Sequence, residues 1–153
     1  EDFPFLSELA LVDLTFNELF HLKYDEGLNS DDFSKLANLE EHSFEFVKTI
    51  ALFQSEFALL DLWNIKNREN AHEEVEIEIT KPSSFCLYKK ENFIRKKELS
   101  PFQYELFAFL IEGNKLSKAI EESMNIIKDF TQEEVGSLFS FIASESLVKT
   151  VHG

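Results

Sequence analysis

A chain of 153 residues with 44% hydrophobic content and 17 Phe is long and apolar enough to bury a core, which excludes an acidic disordered tail. Its 29 carboxylates against 15 Lys and Arg give a formal net charge of −14, and a body of that sign repels the phosphates of nucleic acid. The single cysteine, Cys86, excludes an internal disulfide and fits a reducing compartment, and no apolar run approaches the 18 or so residues of a membrane span, so the expected location is cytoplasmic.

The opening FPFLSELALVDLTFNELFHLKY places Leu6, Leu9, Leu14, Phe16, Leu19 and Phe20 at steps of one to five residues, with Leu6 to Leu9 and Phe16 to Leu19 each three apart. This predicts an amphipathic helix, with Pro4 in its first turn and Gly27 past its end. Residues 28–42 read as a loop with one short helical turn begun by Ser30 or Asp31. SFEFVKTIALFQ is predicted as one strand, and SEFALLDLWNIKN returns to helical spacing through Phe57, Leu60, Trp63 and Ile65. The polar stretch 67–74, NRENAHEE, is the expected linker between a helix-strand-helix region, 1–66, and a second module, 75–153.

In that module EVEIEIT alternates strictly, with Val75, Ile77 and Ile79 on one face, and predicts a strand. SSFCLYKK and NFIRKKEL predict a hairpin turning at Glu91-Asn92. Three helices follow: one opened by the capping box Ser100-Pro101-Phe102-Gln103 and closed by Gly113, one over Leu116 to Met124, and one from the capping box Thr131-x-x-Glu134 through Leu147. The order β-β-β-α-α-α gives the predicted fold class, α+β with a winged-helix-like C-terminal module.

No catalytic constellation stands out. His21, His42, His72 and His152 are far apart, with no HxH, HExxH or CxxC spacing, so no metal ligands and no cofactor are predicted. Cys86 sits between apolar neighbours, which suits a packed residue better than a nucleophile. Paired carboxylates are what a chain with 29 acids shows on solvated faces, and four Gly without a phosphate-loop frame leave no phosphate cradle. The chain is predicted not to be an enzyme.

The outstanding feature is the hairpin. Five of the 15 basic residues lie between Lys89 and Lys97, and Lys81 makes a sixth nearby. Lysines on an exposed strand guard against aggregation, but one or two suffice for that. A winged-helix DNA-binding regulator is the alternative, yet its third helix would present Glu133, Glu134 and Glu145 to phosphate. Capture of an acidic, partly apolar peptide as an added strand fits better. Phe93, Arg95 and Lys97 then share one face of the edge strand, beside Leu138, Phe139 and Ile142 of the last helix, three residues that ordinary core packing would equally explain.

Three stretches carry a family resemblance. FLSELALVDLTFNELF is similar to the first conserved helix of HvfC/MbnC-type partner proteins. SEFALLDLW resembles their S-x-Y-P-V-L-D-I-W segment through Ser55, Leu60, Asp61, Leu62 and Trp63, with Ala58 where Pro is usual. SFCLYKKENFIRKKELSPFQYELFAFLIEGNKLSKAIEES resembles their ending through Leu110, Gly113, Leu116 and Ala119. Such chains carry a helical domain before the first matched helix, where this one begins, and Asp13 stands where their Glu-Trp pair starts. The resemblance implies a non-catalytic partner of a multinuclear non-heme iron oxidative (MNIO) enzyme, binding the leader of a ribosomal precursor peptide, with the iron in the other subunit. Asp61 and Trp63 are then candidates for the enzyme-facing surface, a buried Trp with a satisfied N–H being the competing expectation.

Overall fold

The computed structural model describes residues 5–66 and 78–153. The predicted linker, 67–74, and the first three residues of the expected strand at 75–80 lie outside the described residues, as does Pro4. The protein is α+β. Helix α1 (Phe5–His21) is followed by the short α2 (Ser30–Ser34), β1 (Ser43–Phe46), β2 (Ile50–Ser55) and α3 (Leu59–Lys66). Then come β3 (Ser83–Lys90), β4 (Phe93–Glu98), α4 (Pro101–Ile111), α5 (Leu116–Ile126), α6 (Gln132–Ser144) and β5 (Val148–His152). None of the described helices is long and apolar enough to cross a membrane.

The strands form two antiparallel sheets, β2-β3-β4 and β1-β5. In the three-stranded sheet Phe53 lies opposite Phe85, and Tyr88 opposite Arg95. The central strand β3 is buried from Phe85 through Lys89, as expected of a strand covered on both faces. Its side chains alternate between two cores. Phe85 and Leu87 pack with Leu9, Val12 and Leu19 of α1 and Leu59, Leu60 and Trp63 of α3. Cys86 and Tyr88 face the opposite way, into a larger core built by α4, α5, α6 and the small sheet around Phe102, Leu106, Phe107 and Leu138.

Four expectations change. The stretch read as one strand divides: Val47 N–H donates to Leu147 O and Lys89 N–H to Thr49 O, which turns the chain between β1 and β2 and sends them to different sheets. Glu78 to Thr80 form a turn rather than the end of a strand, and the third strand beside the hairpin is β2. The last helix stops at Ser144, where Ser146 takes a left-handed backbone (φ 57°), and the residues after it form β5. Gly27 is not a helix stop. Its N–H bonds to Ser146 O, and a Cβ there would collide with the carbonyl oxygens of Ser146 and Val148. Strands from the first region thus share hydrogen-bond ladders with strands from the second.

Candidate functional site

The hairpin turns at Glu91 and Asn92, Glu91 taking φ 57° and Lys90 pairing with Phe93. Leu99 N–H donates to Ser84 O at 2.8 Å, so these two form a hydrogen-bonded pair at the foot of the hairpin. Backbone direction alternates along an antiparallel strand. Phe93, Arg95 and Lys97 therefore turn their amides and carbonyls toward β3, while Ile94, Lys96 and Glu98 turn theirs outward. Among the described residues no strand pairs with that outer edge. The result is a row of main-chain donors and acceptors ready for an extended chain. Phe93, whose own main chain faces β3, opens the strand with a side chain 67% exposed.

Each basic side chain of the hairpin has an intramolecular partner. Lys89 is only 9% exposed, and its Nζ donates to Phe20 O at 2.8 Å and Leu22 O at 2.6 Å, closing the C-terminal end of α1. Lys90 Nζ donates to Glu145 O at 3.3 Å, at the end of α6. Arg95 pairs with Glu145 Oε1 at 3.3 Å, and the same oxygen accepts the Tyr88 hydroxyl at 2.8 Å. Burial, and then that bond to Glu145, push the Tyr88 phenol above its ordinary pKa, so it stays the donor. Lys96 Nζ donates to Asn64 Oδ1 at 2.6 Å and lies 5.1 Å from the centre of the Trp63 ring, while Lys97 lies 5.5 Å from that of Phe141. Arg95 and Lys97 look toward α6 and Ile94 and Lys96 toward α1 and α3, as predicted, but Leu99, expected on the side of Ile94 and Lys96, packs in the larger core with Cys86 and Tyr88.

The structure separates the other candidates. Leu138 and Ile142 are fully buried in the larger core, and Phe139 packs edge-on against Phe33, centroids 5.6 Å apart, and against Phe44. They offer the β4 edge no surface. The residues that do meet Arg95 and Lys97 are Phe141 of α6 and Glu145, the residue that caps its end. A periodicity count could have found them, because 141 and 145 lie one turn apart on one side of the helix. Trp63 is buried, lies tilted against Phe16 with ring centroids 5.3 Å apart, and donates its Nε1–H to Asp13 Oδ1 at 2.8 Å. Asp61 is exposed and lines a small cavity of about 110 Å³ with Lys81, Ser83 and Glu98.

Cys86 is fully buried between β2 and β4, and burial pushes its thiol up to about 12. Such a thiol is neutral and unreactive at physiological pH. Among the described residues no three His, Cys, Asp or Glu side chains converge as metal ligands do. The chain matches no protein-family model and no curated protein.

Proposed function

We propose that the chain is a non-catalytic cytoplasmic partner subunit of a multinuclear non-heme iron oxidative enzyme. It takes the leader of a ribosomally made precursor as an added strand along β4 and so presents the core peptide to the enzyme. The observation that carries this reading is the outward row of main-chain groups at Ile94, Lys96 and Glu98 on a sheet edge that no described strand covers. The hairpin's cations are bonded inward but keep their charge, and Arg95 remains half exposed, so the edge is a positive strip on a body of charge −14 that favours an acidic leader. The hairpin with α4, α5 and α6 is read as a winged-helix-like recognition module, in which β2 stands as third strand. A nucleic-acid partner is disfavoured by the same surfaces, since the first turn of α6 presents Glu133 and Glu134.

The test separates main chain from side chain. Lys96 N–H points away from β3, where an edge strand accepts proline. Titration calorimetry with the leader peptide should show Lys96→Pro binding about tenfold or more weakly than Lys96→Ala, a difference of about 1.4 kcal/mol. Equal affinities in the two variants would remove β-augmentation at this edge.

A further inference from the structure

The three-stranded sheet has two edges that no described strand covers, and they differ in charge. Strand β2, IALFQS, carries no charged residue, whereas β4, FIRKKE, carries Arg95, Lys96, Lys97 and Glu98. Those charges are not equally compensated. Arg95 faces the Glu145 carboxylate at 3.3 Å. Lys96 meets only the neutral amide of Asn64 and the Trp63 ring, and Lys97 only the ring of Phe141. Among the described residues neither lysine has a carboxylate within ion-pair distance.

Consecutive side chains of a strand point to opposite faces, so Lys96 and Lys97 place one uncompensated ammonium on each face of the edge. A strand added along that edge alternates in the same way, and each of its side chains lies beside the β4 residue opposite. Two consecutive carboxylates answer the two lysines; a lone acid leaves one of them unanswered. A third acid opposite Glu98 would be repelled, and one opposite Arg95 would compete with Glu145. Past Arg95 the edge turns apolar, with Ile94 half-buried and Phe93 67% exposed. We infer that the β4 edge selects an extended peptide in which two consecutive Asp or Glu residues and two consecutive apolar residues flank one neutral residue, read in either direction. This inference rests on the strand addition proposed above and names the peptide it takes.

The probe is a short synthetic peptide of Thr and Val that carries this pattern with a Glu-Glu pair, titrated by calorimetry at low salt. Each Glu is replaced by Gln in turn, against wild type, Lys96→Gln and Lys97→Gln, with the folding of each variant checked by its melting temperature. Each replacement should weaken binding to wild type about threefold, the scale of one exposed cross-strand ion pair. One Glu should lose its effect only in Lys96→Gln, and the other only in Lys97→Gln. If Lys97→Gln does not fold, the Lys96→Gln arm decides alone, because just one Glu should respond to it. Both Glu responding to the same lysine, or neither responding to either, overturns the paired-acid pattern. Strand addition then stands if Lys96→Pro still binds the probe about tenfold more weakly than Lys96→Ala, and falls too if the two bind alike. A probe that does not bind wild type removes both readings.

Discussion

Lys89 sits in the middle of the basic run, but its ammonium is bonded to carbonyls 69 and 67 residues earlier in the chain. A cluster of charge is visible in a sequence; the direction in which each charge faces is not, because that depends on which helix ends the fold brings alongside. The same holds for Lys90 and Arg95, whose partner Glu145 is 55 and 50 residues away. These side chains are fasteners between the hairpin and the two helices that cover its faces. Lys89→Met keeps the aliphatic stem but leaves the Phe20 and Leu22 carbonyls without their cation. Losing those charge-assisted bonds should lower unfolding stability by about 1–3 kcal/mol in a urea titration. The exposed Lys96→Ala should cost less than about 1 kcal/mol in the same assay. A silent Lys89→Met would mean that the ammonium does not hold the helix end.

At the level of elements, what was legible was local. Both capping boxes are formed: Ser100 Oγ accepts the Gln103 N–H at 3.1 Å, and Glu134 Oε2 accepts the Thr131 N–H at 2.6 Å. The hairpin turn and the alternation of β4 were legible too, since a turn and a period of two are written in consecutive residues. The split of 43–55 into β1 and β2 was not, because it is imposed by Leu147 and Lys89, which lie far along the chain from Val47 and Thr49. Strand β5 had a signal in the β-branched run Val148, Thr150, Val151, which the expected helix extension hid. Leu138, Phe139 and Ile142 were visible as the apolar stripe of α6, but a stripe does not say which sheet it meets. Ser100 also donates to Glu134 Oε1, tying the start of α4 to that of α6. Ser100→Ala should therefore destabilise by about 1–2 kcal/mol, at the upper end for an N-cap, as measured by its chemical-denaturation midpoint.

In the whole molecule, one central strand divides two cores, and both ends of the chain contribute to it or to its cover. Helices α1 and α3 close one face of the sheet and α4 and α6 the other, and the edges beyond β4 and beyond β2 are paired with no described strand. That arrangement gives the function proposed here a sharp signature. Amide hydrogen exchange, read residue by residue by NMR with and without the leader peptide, separates the outward amides from those already bonded to β3. Binding should protect Ile94, Lys96 and Glu98 and leave Phe93, Arg95 and Lys97 as slow as before. Protection confined to another element, or no change along β4 at saturating peptide, would contradict it.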